Sequence, residues 1–366
     1  MEKIFTAPNR YIQGYDIMRQ FGKYVSYLGS KAFILGGTRA LASVGESISQ
    51  SVDEDGITCD LASFRGKCTR KEASRLAQKA EDFGAQIIVG AGGGAALDTA
   101  KAVSFEMDLP LVMVPTIAST DAACSASAVQ HTEDDQFDRV ISLKKNPDLI
   151  IADSRIIAEA PTRFFVAGMG DALSTWFEAQ TCSKSGATNS SGGVATATGM
   201  AVARLAYDML LEHGLAARLA VEQNAVTPAV DTIIEANILL SSVGFENCGL
   251  AAAHSIAAGI GALRGAEDRL HGELVAFSTV ANLVLENYPR EAIKEVISFC
   301  HDVGLPITMK QLGVTDLSPA NLRKATEVAF IEGYFMRNLY FDATPKLLAD
   351  SIIGADALGQ YYQSRR

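Results

Sequence analysis

Short apolar runs and longer amphipathic stretches alternate over the first part of the chain. Four runs are short, rich in apolar residues and bounded by Gly, Pro or Asp, as expected of buried strands: 32–35, 86–89, 111–114 and 149–152. Between them, residues 70–83 and 95–106 repeat apolar side chains at the spacing of a helix. This alternation predicts a mostly parallel sheet covered by helices, in which ligands bind beyond the carboxyl ends of the strands.

The pattern changes near residue 160. From Pro161 onward the apolar spacing is helical almost throughout, in the stretches 171–181, 194–213, 228–243 and 272–287. No run in this part has the compact Val and Ile character of the earlier strands. We therefore predict two domains, an α/β domain over 1–160 and an all-helical domain over 161–366.

Composition is that of a globular protein and narrows the range of partners. Of the 366 residues, 48% are hydrophobic and 20% are charged, which is enough for a sizeable core. The net charge of −10 disfavours nucleic acid, because phosphate backbones select basic surfaces. No apolar run reaches the roughly 18 residues of a membrane span. We therefore expect no membrane partner and interpret the stretch 249–263 as a buried helix.

The cysteines and the amino terminus bear on the compartment. Six cysteines are scattered without any Cys-x-x-Cys pair, which argues against a zinc knuckle and a disulfide scaffold. Such usage favours a reducing compartment. The chain starts Met-Glu-Lys-Ile-Phe-Thr, without the basic region and apolar core of an export signal. We expect a cytoplasmic protein.

A glycine-rich turn follows the second predicted strand and opens a predicted helix. It reads Gly90-Ala-Gly-Gly-Gly94, with Asp98 and Lys101 in the first turns of the helix. Glycines let a backbone approach a pyrophosphate closely, and a helix amino terminus offers N–H groups and a positive dipole end. The spacing departs from the common Gly-x-Gly-x-x-Gly fingerprint. A tight turn without a ligand therefore stays an alternative.

A second polar loop follows the next strand. It reads Pro115-Thr-Ile-Ala-Ser-Thr-Asp-Ala-Ala-Cys-Ser125 and carries several hydroxyls and one carboxylate. On a parallel sheet this loop lies where a cofactor binds. The alternative is a helix cap, because Ser, Thr and Asp are common at such boundaries. Two small polar loops after neighbouring strands favour a ligand site over two unrelated turns.

Segments spread over nearly the whole chain resemble the glycerol dehydrogenases, a group of the iron-type alcohol dehydrogenase superfamily. The resemblance rests on the glycine turn and the loop 115–121, and on five later segments: 168–179, Thr188 with the Gly-Gly pair after it, 243–246, 249–254 and 271–277. It implies a dehydroquinate-synthase-like architecture, with a dinucleotide-binding domain over 1–160 and an all-helical metal- and substrate-binding domain over 161–366. It also implies NAD as cofactor, a small polyol as substrate and a homo-oligomer.

The resemblance also assigns roles to individual residues. The implied cofactor-binding positions are Gly37, Gly92, Gly93, Gly94, Ala95, Asp98, Thr116, Ser119, Ser125, Ser127 and His131. The implied catalytic residues are Asp121, which would hydrogen-bond the substrate, and the three metal ligands Asp171, His254 and His271.

One Asp and two His form a chemically sensible metal site. Three protein ligands leave a coordination position open for a substrate oxygen. The set suits zinc or ferrous iron, and the resemblance favours zinc. Taken one at a time, Asp171 could instead cap a helix, His254 could be a core histidine and His271 a surface residue.

The sequence departs from its relatives at several of these positions. NAD-specific members carry an acidic residue after the first strand, where this chain has Gly37, and Arg39 is close enough in sequence to pair with a 2′-phosphate. NADP use therefore stays open. Ala95 replaces a lysine-like residue, and Ala257 stands where relatives often have another histidine. Ser127 and His131 also replace residues that line the nicotinamide end in the glycerol dehydrogenases, so the identity of the polyol stays open.

The implied reaction is the reversible oxidation of a secondary alcohol beside a second hydroxyl, with hydride transfer to the nicotinamide. Alternatives are an NADP-preferring diol or hydroxyketone reductase, a phosphopolyol dehydrogenase or dehydroquinate-synthase-like enzyme, and a nucleotide- or metal-binding protein without turnover. Enzymes of phosphorylated substrates need Lys or Arg near the metal. The sequence neighbours of Asp171 and His254 are Ala, Leu, Ser, Thr and Gly instead.

Overall fold

The computed structural model describes residues 1–134 and 137–365. The chain forms two compact units. The first, here called the sheet unit, consists of Thr6–Phe165 and Ala220–Ser242, and the second, here called the helical unit, consists of Met1–Phe5, Val166–Leu219 and Val243–Arg366. The division predicted near residue 160 does not anticipate that segment 220–242 packs with the sheet unit. Asp231 explains part of this packing, because it accepts hydrogen bonds from Gln13 (2.8 Å, backbone oxygen) and Ser154 (2.5 Å, side chain).

The sheet unit contains a parallel sheet and a separate hairpin. The strands are β1 (Tyr11–Gly14), β2 (Lys31–Gly36), β3 (Thr58–Ser63), β4 (Ile87–Gly92), β5 (Leu111–Pro115), β6 (Ser127–His131), β7 (Phe137–Ser142) and β8 (Leu149–Asp153). Six of them form a sheet in the order β1-β8-β5-β4-β2-β3, and every pairing in it is parallel. β6 and β7 pair antiparallel.

The four strands predicted from apolar runs are confirmed as β2, β4, β5 and β8. They occupy the interior of the sheet, where both faces are covered, so nearly every position is buried and apolar. The edge strands β1 and β3 were not predicted. Most β3 residues are exposed or half-buried, and its sequence is Thr-Cys-Asp-Leu-Ala-Ser. A polar edge strand of this kind lacks the apolar run that identifies an interior strand.

Helices make up most of the remaining chain. Their bounds are α1 (Phe21–Val25), α2 (Thr38–Asp55), α3 (Arg70–Phe83), α4 (Gly94–Met107), α5 (Ser154–Glu159), α6 (Thr162–Ser185), α7 (Ala197–Val221), α8 (Pro228–Glu235), α9 (Ser241–Cys248), α10 (Ala252–Gly261), α11 (His271–Leu285), α12 (Arg290–Val303), α13 (Pro319–Ala329) and α14 (Pro345–Gln363). Short 3₁₀ turns cover Ile17–Gln20 and Met336–Asn338, and a π-helical turn, Ala236–Leu240, joins α8 to α9.

Local chemistry explains why α3 coincides with the predicted range 70–83. The Thr69 side chain accepts a hydrogen bond from the Glu72 amide at the start of the helix. Gly84 ends it with a φ of 72°, a left-handed conformation that glycine adopts without strain. Both signals are local, so the sequence alone defines both ends.

The core of the helical unit is built around α10 and α11. α10 packs against α11 and α13, and α11 packs against α14. The stretch interpreted as a buried helix contains α10, whose Ile256 and Ile260 are buried. No helix among the described residues is long and apolar enough to cross a membrane.

Candidate functional site

The glycine turn joins β4 directly to α4. Gly92 ends the strand with a φ of 148°, and a Cβ atom there would lie 2.9 Å from the Ala96 Cβ atom. Gly93 precedes α4 without a side-chain cap, and Ala95 in the first helical turn is exposed. The amino terminus of α4 therefore lies at the carboxyl edge of the sheet without a side-chain cap at Gly93, and its backbone N–H groups suit an anion.

The second polar loop lies over this turn. The Thr116 amide donates a hydrogen bond to the Gly92 oxygen (3.1 Å). A Cβ atom on Gly93 would come within 2.6 Å of the Ile117 Cδ1 atom and 4.0 Å of the Ser119 hydroxyl. The structure thus brings together Gly92, Gly93, Thr116 and Ser119. Packing of the loop is itself a reason for glycine at position 93, whether or not a ligand binds.

Gly94 and Gly37 lie at the same edge in different surroundings. A Cβ atom on Gly94 would lie 3.3 Å from the Thr120 hydroxyl. Gly37 follows β2, the neighbour of β4, and directly precedes α2 without a side-chain cap. Its φ and ψ are −67° and 156°, and a Cβ atom there would meet nothing within 4 Å. Any amino acid could therefore occupy position 37 without backbone strain.

Asp98 and Ser125 belong to a buried network around Lys101. The fully buried Lys101 ammonium donates to the Asp98 carboxylate (3.3 Å), the Ser125 hydroxyl (3.1 Å) and the backbone oxygens of Ala122 (2.5 Å) and Ser127 (2.6 Å). Burial raises the pKa of Asp98 above its ordinary value, although the Lys101 charge opposes this shift. The network ties α4 to the end of the second loop and to the start of β6.

His131 lies at the far end of β6 from Ser127, beside an irregularity in the pairing with β7. Its amide donates a hydrogen bond to the Cys68 oxygen (2.8 Å), and its side chain is partly exposed. Unlike Ser127, it receives no hydrogen bond from Lys101 among the contacts of the described residues.

Asp121 is held by the segment that follows the π-helical turn. Its carboxylate accepts a hydrogen bond from the Ser241 hydroxyl (2.8 Å), and its backbone oxygen accepts one from the Ser242 hydroxyl. Asn237, inside the π-helical turn, donates to the backbone oxygens of Ala118 (3.2 Å) and Phe165 (3.1 Å). Sequence reasoning missed both Asn237 and Ser241. Their polarity in an otherwise apolar helical stretch was the available signal.

In the helical unit, α6 and α11 touch at two glycines. A Cβ atom on Gly272 would lie 1.7 Å from the Ala167 backbone oxygen, and one on Gly170 would lie 2.2 Å from the Gly272 backbone oxygen. Such distances are far below van der Waals contact, so only glycine permits the two backbones to approach this closely. Asp171 directly follows Gly170, and His271 directly precedes Gly272. The contact therefore sets these two side chains side by side.

Asp171, His254 and His271 converge, and their donor atoms all lie within 4.8 Å of one another. The Asp171 Oδ1 atom is 3.5 Å from the His254 Nε2 atom and 3.3 Å from the His271 Nε2 atom. The side chains are 1%, 11% and 48% exposed, respectively. One carboxylate and two imidazoles, open to solvent on the His271 side, fit a divalent metal with a free coordination position.

The position of Asp171 decides one of the alternative interpretations. Asp171 lies well inside α6, so it does not cap a helix. His271 is the first residue of α11 and is half exposed, yet its ring lies 5.4 Å from the His254 ring. His254 is in the first turn of α10 and is largely buried. For this histidine, a place in the core and a role as ligand are compatible.

A buried carboxylate that sequence reasoning missed supports His254. The Glu178 Oε2 atom lies 2.6 Å from the His254 Nδ1 atom, and its Oε1 atom accepts from the amides of Ala251 (2.9 Å) and His254 (3.1 Å). Glu178 is seven residues after Asp171 on α6, a spacing that puts both on one helix face. That spacing was the signal in the sequence.

Burial and neighbouring charges shift the pKa values of Asp171 and His254 in opposite directions. Burial alone would raise the pKa of Asp171, but His271 and His254 lower it well below its ordinary value. Burial alone would lower the pKa of His254, whereas Glu178 and Asp171 raise it well above the ordinary value. The buried carboxylates of Asp171 and Glu178 therefore favour a balancing positive charge at the His254 ring. A metal would take over that balance and displace protons.

The sequence and the fold are similar to those of known proteins. The profile of the family "Iron-containing alcohol dehydrogenase" matches residues 8–154. The chain is 44% identical over 362 residues to a glycerol dehydrogenase of Escherichia coli O6:H1, covering 99% of each chain. It is 39% identical over 365 residues to a glycolaldehyde reductase of Halobacterium salinarum, covering 100% of each. The crystal structure of glycerol dehydrogenase from Schizosaccharomyces pombe matches 100% of this chain and 93% of its own, with a TM-score of 0.96 and 36% identity.

The similarity to these relatives covers both the sheet and the helical remainder of the chain. The chain therefore belongs to the glycerol dehydrogenase family of the iron-containing alcohol dehydrogenases. The predicted fold class, an α/β amino-terminal part followed by a helical part, is confirmed.

The glycine contact between α6 and α11 can be tested with Gly272→Ala. The added methyl group must push the helices apart, because the atom it meets is a backbone oxygen and cannot rotate away. We expect the free energy of unfolding of the metal-free protein to fall by about 3 kcal/mol, the upper range for overpacking. We also expect zinc affinity to drop, because Asp171 and His271 would separate. Urea denaturation and zinc titration measure the two effects.

Gly354→Ala in α14 is the matched control. A Cβ atom there would lie 3.4 Å from the Val284 Cγ1 atom, which is ordinary contact. Alanine favours a helix more than glycine does, so stability should stay equal or rise, by up to about 1 kcal/mol. If Gly272→Ala were as harmless as this control in both measurements, the contact would not determine the site.

Proposed function

We propose that the chain is a metal-dependent dehydrogenase that transfers hydride between a small polyol, such as glycerol, and NAD. The observation that supports this most strongly is the convergence of Asp171, His254 and His271 within 4.8 Å. It occurs in a chain that is 44% identical to a glycerol dehydrogenase along its whole length. The reaction oxidises a secondary alcohol to a hydroxyketone and is reversible.

The proposed ligands are Asp171, His254 and His271, and the proposed metal is zinc, with ferrous iron as the alternative. When bound, the metal supplies Lewis acidity, which lowers the pKa of an alcohol toward neutrality. The half-exposed His271 leaves one side of the site accessible. The residues next to Asp171 and His254 in the sequence are Gly, Ala and Ser, without lysine or arginine. This supports an uncharged substrate over a phosphorylated one.

Asp121 is proposed to hydrogen-bond the substrate. Its carboxylate is buried and oriented by the Ser241 hydroxyl at 2.8 Å. A carboxylate held this way accepts hydrogen bonds from hydroxyl groups in a fixed direction, which orients the carbon that loses hydride. The second hydroxyl of a diol matches this acceptor.

The cofactor is proposed to bind at the carboxyl edge of the sheet. Gly92, Gly93 and Gly94 would receive the pyrophosphate at the amino terminus of α4, with Thr116 and Ser119 beside it. Gly37 and Ala95 would face the cofactor through backbone alone, while Ser127 and His131 would lie toward the nicotinamide. Asp98 and Ser125 would act indirectly, because Lys101 binds both and fixes the loop that follows Thr116.

The proposed setting is the cytoplasm, with the protein as a homo-oligomer. All six cysteines are free thiols, and five of them are buried. Free buried thiols without disulfides support a reducing compartment.

A related reductase is the second candidate. The glycolaldehyde reductase of Halobacterium salinarum is 39% identical to this chain, and reduction of a hydroxyaldehyde would use the same hydride donor and ligands. A matrix of glycerol, other small diols, dihydroxyacetone and glycolaldehyde against both cofactors separates the two. We expect highest kcat/KM for a secondary alcohol and its hydroxyketone. A preference for glycolaldehyde would favour the reductase, and no turnover of any of these compounds would refute the proposed function.

Gly37 provides a test of cofactor choice. Gly37→Asp places a carboxylate in open space at the end of β2, where it would bind the ribose hydroxyls and repel a 2′-phosphate. A charged hydrogen bond contributes about 1.5–3 kcal/mol, so the NAD-over-NADP ratio of kcat/KM should rise about ten- to a hundredfold. Steady-state kinetics with both cofactors measure the ratio.

Gly45→Asp is the control for added charge. Gly45 lies on α2, the helix that Gly37 precedes, and a Cβ atom there also meets nothing within 4 Å. Its ratio should equal that of the wild type. An unchanged ratio in Gly37→Asp as well would show that residue 37 does not face the ribose.

A further inference from the structure

Glu178 is a buried carboxylate to which the proposed chemistry assigns no role. It is fully buried on α6 and accepts three hydrogen bonds, all from one short segment. Two come from backbone amides, of Ala251 and His254, at the start of α10, and the third comes from the His254 ring. One side chain thus fixes both the backbone and the imidazole of a single histidine.

The ring contact has a defined direction. A carboxylate can only accept, so the His254 Nδ1 atom carries the proton in the 2.6 Å hydrogen bond to the Glu178 Oε2 atom. The other ring nitrogen, Nε2, points to Asp171, whose Oδ1 atom is 3.5 Å away. A metal binds a ring nitrogen through its lone pair, so the nitrogen on the Asp171 side is the one that must be bare.

We propose that Glu178 is a positioning residue that selects the tautomer and orientation of His254 and thereby sets the affinity for the metal. This inference rests on the metal site of the proposed function and adds a residue to it. Carboxylates behind a ligand histidine raise its basicity and hold its ring, and their loss costs about ten- to a hundredfold in metal affinity.

Glutamine is an informative replacement because it keeps the shape of the side chain. Its amide has one oxygen, so it cannot accept from both backbone amides and from the ring. Its NH₂ group would face one of these donors. We therefore expect Glu178→Gln to disturb the ring, the start of α10, or both, without opening a cavity.

Glu286 offers a matched control. It is also a buried carboxylate in the helical unit, and it accepts a hydrogen bond from the Thr181 hydroxyl (2.6 Å), one turn beyond Glu178 on α6. None of its hydrogen bonds among the described residues involves His254 or His271. Glu286→Gln removes the same charge from a similar environment without touching a proposed ligand.

The test is zinc affinity, measured by competition with a chromophoric chelator in the wild type and both variants. We expect Glu178→Gln to bind zinc about ten- to a hundredfold more weakly, and Glu286→Gln to bind within about threefold of the wild type. In cobalt-substituted protein, the visible absorption of Glu178→Gln should shift because the ligand geometry changes, while that of Glu286→Gln should not. Equal zinc affinity and an unchanged cobalt spectrum in folded Glu178→Gln would overturn the proposal.

A measurement on the wild type keeps the proposal testable if the variant does not fold. Ring-nitrogen NMR of zinc-loaded protein should show His254 bound through Nε2 and protonated at Nδ1. Binding through Nδ1 would overturn the role of Glu178. A wild type that binds no zinc or ferrous iron would instead refute the proposed metal site, whereas a metal-binding wild type with an indifferent Glu178→Gln would refute this inference alone.

Discussion

Helices α6 and α11 approach each other through Gly170 and Gly272, and this contact is the constraint on which the candidate metal centre depends. A Cβ atom at either glycine would lie within 2.2 Å of a backbone oxygen. Side chains adjacent in sequence to such a contact must lie close in space, so Asp171 and His271 face each other before any ligand arrives. Their donor atoms are 3.3 Å apart. The short separation comes from the backbone, which flexes less than side chains do.

His254 is positioned beside Asp171 and His271 by hydrogen bonds, not by a backbone contact. Its helix, α10, starts against Glu178, whose carboxylate accepts two amides there and the ring as well. Asp171 and Glu178 share one face of α6, so a single rigid helix supplies one donor and orients another. The arrangement brings like charges into a buried place. Burying like charges is costly unless a positive charge lies beside them, and Glu178 and Asp171 raise the pKa of His254 well above its ordinary value against the effect of burial.

In the sheet unit, hydrogen bonds hold the polar loops at the carboxyl edge of the sheet. Its polar loops need fixed backbones at the carboxyl edge, and a loop without regular structure has few bonds of its own. Lys101 fixes one end of the second loop from α4, and Asn237 and Ser241 hold Ala118 and Asp121 from the segment around the π-helical turn. This explains why 220–242 packs with the sheet unit, although it follows α7 in the chain.

Features governed by local chemistry could be predicted from the sequence. The interior strands have continuous apolar runs, and α3 is bounded by Thr69 and Gly84. The edge strands β1 and β3 were not predicted, because β1 has only four residues, all half-buried, and most of β3 is exposed. The metal trio comes from three segments far apart in sequence, so spacing could not reveal it, and only resemblance to a family did. Glu178, Asn237 and Ser241 were not predicted because their partners are 72 to 120 residues away.

In the proposed function, one metal held by the trio in the helical unit is required for hydride transfer, and the cofactor binds independently in the sheet unit. The most direct test is to chelate the metal from the wild-type protein and to measure metal content, polyol oxidation and NAD binding on the same sample. We expect about one metal per chain before treatment and a loss of turnover of roughly a hundredfold or more after it. Turnover should return with one equivalent of zinc or ferrous iron, and NAD affinity should stay nearly unchanged throughout. Full turnover by protein depleted of metal would refute the proposed metal dependence.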